Sequence, residues 1–284
     1  MPVYNGGKHI LQAAESILEQ TFTDFELIIS DNASTDDTRS ICESLAVRDG
    51  RVRYVRQPRN LGAVPNWDFV ARSAQGRFFK WASANDHCDP HTLEKCVVVL
   101  REQEDVVLCY GRTCLIDNRG NSLGVYQYDL AVEDDRPSTR FITVRNRLNL
   151  NNAQCSLMRL DKLRQTRLGR PFPGGDVLLT AELSLYGKFR LLPDVLLYRR
   201  MDEGSASRYL SDQQLRVFLD PRSVHKGHVT WRRHWDCCRS VLRAPIAWRE
   251  KRATLDFVLR SAYWDRKELW RELGGSVASE DRTQ

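Results

Sequence analysis

Long apolar runs are missing from this chain of 284 residues. Runs such as 96–100 and 106–110 are far shorter than the about 18 residues that a membrane-spanning helix needs. The opening Met-Pro-Val-Tyr-Asn-Gly-Gly lacks the basic and apolar segments of a secretory signal, and no repeat or low-complexity tract occurs. With 42% hydrophobic and 28% charged residues, the composition predicts a globular protein with a sizeable core.

Closely spaced cysteine pairs are also absent. None of the eight cysteines forms a C-x-x-C motif, and Cys237 and Cys238 are adjacent, which makes a bridge between them difficult. Without a secretory signal, a chain of this length is expected to keep reduced thiols in a cytoplasmic setting. Zinc is disfavoured because no second close pair accompanies the cluster of His87, Cys88, His91 and Cys96.

Excess charge is absent from the first 221 residues, which hold 29 basic and 29 acidic side chains. The whole net charge of +6 lies from Arg222 onward. Residues 222–272 also carry five of the seven tryptophans: Trp231, Trp235, Trp248, Trp264 and Trp270. Basic, tryptophan-rich helices suit an anionic membrane surface; alternatively, the tryptophans pack on the rest of the protein. We expect no nucleic-acid partner, because no recognised motif accompanies the charge.

Residues 77–90 change abruptly from apolar to polar. The first half predicts a strand buried on both faces. Asn85, Asp86, His87 and Asp89 then crowd into five positions before Pro90, which opens a predicted helix. Polar residues where a buried strand ends indicate a ligand site in an open α/β sheet. Carboxylate and imidazole groups there suit a divalent cation.

Strand and helix patterns alternate on both sides of this stretch. Before it, helices are predicted at 8–20 and 66–74, a turn at 31–38 leading into a helix, and strands at 25–30 and 52–56. After it, helices are predicted at 90–104, 160–168 and 177–186. Strands are predicted at 106–110, 189–192 and 195–198, with a loop or edge hairpin at 117–140. The alternation predicts an α/β nucleotide-binding fold.

Several short motifs occur in a specific order. They are Pro2-Val3-Tyr4-Asn5, residues 16–21 and 25–36, Asn60-Leu61-Gly62, Asn85-Asp86, Gly175-Asp176, Gly187, Pro193 and Tyr198-Arg199. In order and spacing they resemble the family 2 glycosyltransferases of the GT-A fold. The resemblance implies a Rossmann-like mixed sheet flanked by helices over residues 1–207, with a nucleotide-binding half (1–105) and an acceptor half (106–207). Residues 208–284 are then a basic, helical C-terminal region.

The resemblance also implies the chemistry. It implies a metal-dependent, inverting transfer of a sugar from a nucleotide diphosphate, UDP, to a hydroxyl of a surface glycan or lipid-linked saccharide, at the inner face of the membrane. Asp86 is the expected ligand of Mg²⁺ or Mn²⁺, with His87 as a second ligand. Asn85 is expected to bind the ribose or a metal-bound water. Asp176 is expected to be the general base, or alternatively only the N-cap of the helix that follows.

The other roles implied by the resemblance concern the nucleotide. Asp31 would accept hydrogen bonds from the base or ribose, or alternatively only begin a turn. Arg199 or Arg200 would clamp the diphosphate. The base and the opposite side of the nucleotide would be enclosed by Pro2, Val3, Tyr4, Arg59, Asn60 and Gly62.

Three departures from the family pattern favour an alternative, a non-catalytic nucleotide-binding or membrane-docked scaffold. The family's opening strand is expected before Met1, so we predict that it is missing and that the true start lies upstream or the chain is truncated. An amide, Asn85, stands at the first acidic position of the metal motif. Met201 replaces a histidine that often follows Tyr-Arg, and its thioether does not suit a hard cation.

Overall fold

The computed structural model describes residues 1–201, 212–223 and 228–274. The first sheet is parallel, in the order β1 (Pro2–Val3), β2 (Leu27–Asp31) and β3 (Val52–Arg56). Helix α1 (Ile10–Leu18) joins β1 to β2, and α2 (Thr38–Arg48) joins β2 to β3. All five residues of β2 are buried, which explains its continuous apolar sequence. The carboxyl ends of these strands therefore meet at one edge.

The second sheet is mixed and has six strands. They are β4 (Phe78–Lys80), β5 (His87–Cys88), β6 (Val106–Ile116), β7 (Ser122–Val125), β8 (Leu157–Arg159) and β9 (Lys188–Arg200). Their order is β4-β8-β6-β9-β5, with β7 paired to β6. Strands β6 and β9 are parallel to each other, whereas the other pairings are antiparallel.

Helices cover the sheets and extend beyond them. The remaining helices are α3 (Ala63–Ser73), α4 (Thr92–Glu102), α5 (Pro137–Arg147), α6 (Leu160–Gln165), α7 (Gly175–Ser184), α8 (Asp212–Leu219), α9 (Val229–Arg243), α10 (Trp248–Trp264) and α11 (Arg266–Glu272). Val241 of α9 and Phe257 of α10 belong to the same core as Phe141 and Phe189. The predicted mixed α/β fold with a helical C-terminal region is confirmed. The division at residue 105 stays a prediction, and the boundary at 207 lies outside the described residues.

The opening strand is only two residues long. Pro2 and Val3 pair with Ser30 and Asp31, and the Met1 ammonium donates a hydrogen bond to the Ile28 carbonyl at 2.6 Å. A slot of about 550 Å³ opens between β2 and β4, lined by Met1, Leu27, Ile28, Phe79, Lys80 and Leu157 among others. A two-residue strand beside this slot is thus present where the sequence analysis predicted a missing first strand.

Several sequence-based assignments differ from the structure, among them the strand predicted at 106–110, which continues to Ile116. Two further differences are informative. Residues 188–200 form one strand, because β9 continues past Pro193 with shifts in its pairing to β6 instead of turning back. Residues 137–147 form α5, which the polar sequence had not indicated. Its apolar contacts come from only a few positions, including Phe141 and Val144, and Arg140 is buried, donating to the backbone carbonyls of Ser184, Asp134 and Asp135.

All eight cysteines are free thiols, as the sequence predicted, and six of them are buried. Among residues 1–201, 212–223 and 228–274, no helix combines the length and the apolar character needed to cross a membrane.

Candidate active site

A pocket of about 480 Å³ brings five of the predicted site residues together. Its polar wall is lined by Asn85, Asp86, Asp176, Arg199 and Arg200. Trp67 of α3 and Phe172 contribute an apolar wall, and α8 adds Leu215, Phe218 and Leu219. The polar residues come from the β4–β5 connection, the start of α7 and the end of β9. The fold therefore assembles this site from segments that lie far apart in sequence.

Asp86 lies immediately before β5 and is half-buried. Its Oδ1 accepts a hydrogen bond from the backbone amide of Arg200 at 2.8 Å. Burial raises its pKa above the usual range, although that hydrogen bond and the nearby Arg199 act in the opposite direction. A partly desolvated carboxylate is stabilised by a cation, and Mg²⁺ commonly uses one or two carboxylates together with waters and substrate phosphates. Asp86 therefore fits the predicted divalent ion.

His87 points differently from its neighbour. Its ring stacks on Tyr198 at a centroid distance of 4.8 Å and an interplanar angle of 7°, and His87 does not line the pocket. Burial, with Arg200 nearby, lowers its pKa. Within the described part of the chain, no cluster of three or more His, Cys, Asp or Glu side chains is arranged to hold a metal. The role of His87 in cation binding stays a prediction, and the fit of the site to a divalent ion rests on Asp86.

The two arginines at the end of β9 differ in their contacts. Arg200 is buried and donates to the carbonyls of Asn85 and Asp117 at 3.2 and 2.8 Å, and to Gln12 at 3.0 Å. Both arginines line the pocket, but Arg199 is only half-buried and makes one side-chain hydrogen bond, from Nη1 to Asn152 Oδ1 at 2.6 Å. Arg200 thus holds the loop before β5, and Arg199 is the better placed of the two to meet an anion in the pocket.

Asp176 is exposed at the start of α7. The N-cap of this helix is Gly174, which adopts the left-handed conformation at φ 78°, so the alternative that Asp176 is the N-cap is wrong. Its Oδ2 accepts a hydrogen bond from Asn151 Nδ2 at 3.2 Å. Asn151 Oδ1 in turn accepts one from Thr180 Oγ1 at 3.2 Å. This chain of contacts orients the carboxylate without burying it.

Asp31 ends β2 and has no exposed side-chain surface. Its Oδ1 accepts from the Ser34 amide at 2.8 Å, and its Oδ2 accepts from Tyr54 and Arg56 at 2.8 and 2.6 Å. Burial disfavours its charged form, but these hydrogen bonds outweigh that effect and lower its pKa. Asp31 does begin the turn, as the alternative held. Its ion pair with Arg56 shows that it also has an electrostatic partner that the sequence had not indicated.

The remaining predicted nucleotide contacts lie beside Asp31, outside the pocket walls. Asn60 Oδ1 accepts from Asn32 Nδ2 and from the Gly62 amide, both at 2.8 Å. Gly62 has φ +90°, and a Cβ there would lie 2.8 Å from both the Leu219 carbonyl and the Asp220 Cα. Gly62 therefore allows the chain after α8 to approach this loop. Ala63 and Val64, which follow it, line the pocket and make the two groups of residues neighbours.

The first residues and Arg59 complete this neighbourhood. Pro2 and Val3, predicted as loop residues, instead form β1, and Val3 is buried. Tyr4 is 47% exposed at the end of that strand, and Arg59 is exposed on its own loop. The amide of Asn5 donates to Ser34 Oγ at 2.9 Å, which joins the loop after β1 to the loop after β2.

The sequence reading missed the aromatic wall and the support of the Asp176 loop. Trp67 and Trp81 lie 5.9 Å apart and both line the pocket. Arg170, which precedes the loop, donates from Nη2 to Glu182 at 2.5 Å and to Ser240 of α9 at 3.1 Å. A tryptophan at helical spacing and an arginine near a Pro-Gly loop carry no distinctive sequence signal.

The sequence model of the family described as glycosyl transferase family 2 matches residues 1–165. The chain belongs to this family. It is a family 2 glycosyltransferase, as the motifs had indicated.

Similar proteins include the chondroitin synthase of Escherichia coli, which is 32% identical over 121 residues, covering 43% of this chain and 18% of that protein. The putative teichuronic acid biosynthesis glycosyltransferase TuaG of Bacillus subtilis is 28% identical over 152 residues, covering 54% of each. The matched parts thus span about half or less of these relatives.

Solved structures confirm the GT-A fold. Staphylococcus aureus TarS 1–349 in complex with UDP has a TM-score of 0.64 at 16% identity, covering 97% of this chain and 74% of that chain. The mannosyltransferase PcManGT of Pyrobaculum calidifontis, in complex with GDP-Man and Mn²⁺, has a TM-score of 0.53 at 14% identity, covering 96% and 82%.

Proposed function

We propose that this family 2 glycosyltransferase moves a sugar from a nucleotide diphosphate, UDP, to a hydroxyl of a saccharide or lipid-linked saccharide, with inversion and with a divalent cation. The observation that carries the proposal is the meeting of Asp86, Asp176 and Arg199 in one pocket. An acidic cation ligand, a carboxylate base and a cationic partner for phosphate are the groups that such a transfer needs. The relatives named for chondroitin and teichuronic acid synthesis support a polysaccharide acceptor.

The nucleotide would lie against the loops after β1 and β2. Tyr4 is exposed in the first loop, and with Pro2 and Val3 it would enclose the base. The Asp31 carboxylate already accepts hydrogen bonds from the Ser34 amide and from Arg56. Asp31 would therefore act indirectly, by holding Ser34 and Arg56 in position beside the base or ribose. Arg59, Asn60 and Gly62 would close the opposite side, and Asn85 would contact the ribose or a cation-bound water.

Asp86 would hold Mg²⁺ or Mn²⁺, and His87 would become a second ligand only if its ring leaves Tyr198. When bound, the ion neutralises the diphosphate and the charge that develops on the leaving group. Arg199 would bind the same phosphates as a charge-assisted donor.

Asp176 would take the proton of the acceptor hydroxyl as the oxygen of that hydroxyl attacks the anomeric carbon. The bond from that carbon to the diphosphate oxygen breaks, and the nucleoside diphosphate leaves with the electron pair. A single attack from the face opposite the leaving group inverts the anomeric configuration. Asn151 would hold the Asp176 carboxylate during this step, and the wall around Trp67 would pack against the sugar.

The competing proposal is a non-catalytic scaffold, which Asn85 and Met201 favour. Met201 donates its amide to the Ile116 carbonyl at 2.9 Å and continues the pairing of β9 with β6. Titration of UDP by calorimetry, with and without Mn²⁺, tests the site first. We expect cation-dependent binding that Asp86→Ala abolishes and that the matched variant Asp89→Asn, outside the pocket, retains.

Transfer from UDP-sugars to saccharide acceptors then separates the two proposals. Turnover that requires both the cation and Asp176 supports the enzyme. UDP binding without turnover, over a panel of donors and acceptors, supports the scaffold. Absence of UDP binding in a folded protein would contradict both.

A further inference from the structure

The C-terminal helices turn one side of each helix to the core and leave their tryptophans outside. Cys237 and Val241 of α9 and Val258 of α10 are buried in the main core. In contrast, Trp231, Trp235, Trp248, Trp264 and Trp270 are 44–68% exposed. Packing on the rest of the protein, the alternative considered for these tryptophans, does not account for this exposure. Five partly exposed indoles in 40 residues need another explanation.

The exposed apolar residues follow helical spacing. On α9, Trp231, Trp235 and Leu242 lie on one side, opposite the buried Cys237 and Val241. On α10, Trp248, Leu259 and Tyr263 lie on one side, opposite the buried Phe257. We call these six exposed residues the outer face; Trp264 of α10 and Trp270 of α11 are exposed beside it. It is a repeated pattern on two helices, not a single stray side chain.

Charge is segregated in the same helices. Three of their acidic side chains are held by polar partners: Asp236 pairs with Arg167, Glu250 with Arg136 and Ser138, and Asp265 with Arg233 and His234. Within 229–274, only Asp256 and Glu268 are exposed acids. The exposed basic residues are eight: Arg239, Arg243, Arg249, Arg252, Arg260, Arg266, Lys267 and Arg271. The exposed surface of these helices, which includes the outer face, is thus both apolar and strongly basic.

We propose that the outer face docks on the surface of a bilayer that contains anionic phospholipids. Exposed indoles enter the headgroup region of a bilayer, and arginine and lysine bind its phosphates. A second copy of this chain fits less well, because the outer faces of two copies would bring their basic residues together. This inference deepens the proposed lipid-linked acceptor and rests on that proposal for its purpose, but binding is measured without donor or acceptor.

Sedimentation with vesicles tests the proposal on the full chain. The two vesicle types are phosphatidylcholine alone and equal parts phosphatidylcholine and phosphatidylglycerol. We expect sedimentation with the anionic vesicles only, a blue shift of tryptophan fluorescence, and weakening by added salt. Trp235→Ser combined with Leu242→Ser should reduce partitioning by about tenfold or more, since binding scales with the buried apolar area. Arg252→Gln combined with Arg260→Gln should also weaken binding and reduce its dependence on salt.

Val47→Ser is the matched control, because Val47 is 88% exposed on α2, away from the outer face. It should bind like the parent protein, and circular dichroism should show that every variant is folded. Equal binding by the Trp235/Leu242 variant and the parent would overturn the proposal. The absence of vesicle binding at low salt would also overturn the proposal. Dimer formation or binding of single-stranded RNA in that case would indicate a different partner for the outer face. A transferase that works on soluble acceptors without vesicle binding would leave the proposed function standing and remove only this inference.

Discussion

Asn151 donates a hydrogen bond to Oδ2 of Asp176 at 3.2 Å, and both residues line the pocket. Asn151 comes from the polar segment before β8, and Asp176 from the first turn of α7. The contact fixes the direction of the carboxylate that we propose as the base.

Replacing that carboxylate should separate catalysis from binding. We expect Asp176→Asn to lower kcat by about 100-fold to 10,000-fold, the range typical of a general base, while UDP affinity stays unchanged. Asn151→Ala should lower kcat by less, because Asp176 remains but is no longer oriented. Steady-state kinetics with calorimetry of UDP binding measures both effects. Parental turnover in Asp176→Asn would remove Asp176 from the mechanism.

Breaking the buried ion pair below the Asp176 loop should destabilise the protein. Arg170 and Glu182 are 3% and 0% exposed, and removing one partner leaves a buried charge uncompensated. We expect Arg170→Met to lower the free energy of unfolding by about 3–5 kcal/mol, measured by urea denaturation. Arg39→Met breaks the exposed pair Arg39–Glu43 and should have a much smaller effect, because solvent screens this pair. Similar losses in the two variants would contradict this account.

The close approach at Gly62 can be tested against a glycine with the same backbone but open space. Gly62 and Gly120 have φ +90° and +87°, yet a Cβ at Gly120 would meet no atom within 4 Å. Both alanine variants should suffer backbone strain, but Gly62→Ala should lose about 1–3 kcal/mol more through overpacking against residues 219–221. Thermal unfolding of the two variants gives the comparison. Equal losses of stability in the two variants would show that the loop after α8 moves aside without destabilising the protein.

In a polypeptide of these 284 residues alone, the Met1 ammonium should make stability depend on pH. Burial lowers its pKa from 8.0 to about 5, so the unfolded chain takes up a proton between these values and the folded chain does not. Stability should therefore fall as the pH falls from 8 to 5, by up to about 4 kcal/mol, and this contribution should level off below pH 5. Burial also lowers the pKa of His87 and His234, which adds a loss of the same sign below pH 6.5.

Adding five β-branched residues before Met1 is the matched variant. It replaces the ammonium with an amide and supplies strand residues for the slot between β2 and β4. We expect higher stability and a flatter profile between pH 8 and 5, measured by urea denaturation at each pH. An unchanged slope would show that the slope comes from other groups.

Local patterns allowed much of the fold to be predicted, and long-range pairing set the rest. The helix at 8–20 and the strand at 52–56 were readable because their apolar spacing is local. Strand β8 and the continuation of β9 past Pro193 were not, since both depend on pairing with β6. In the site, Asp86 and Asp176 were found through motifs. Trp67 and Arg170 were missed because their roles arise only from tertiary contacts.

Strand β9 also has a mechanical consequence. It pairs with β5 at Tyr198–His87 and Leu197–Cys88, and the amide of Arg200 binds the Asp86 carboxylate. The proposed cation ligand and the proposed phosphate-binding Arg199 are therefore carried by one continuous hydrogen-bonded ladder and must shift in concert. We expect adjustment to different sugars to occur instead at the opposite wall, which is formed by α3 and the loop that contains Phe172. Substitutions there should alter donor selectivity without weakening the binding of the diphosphate.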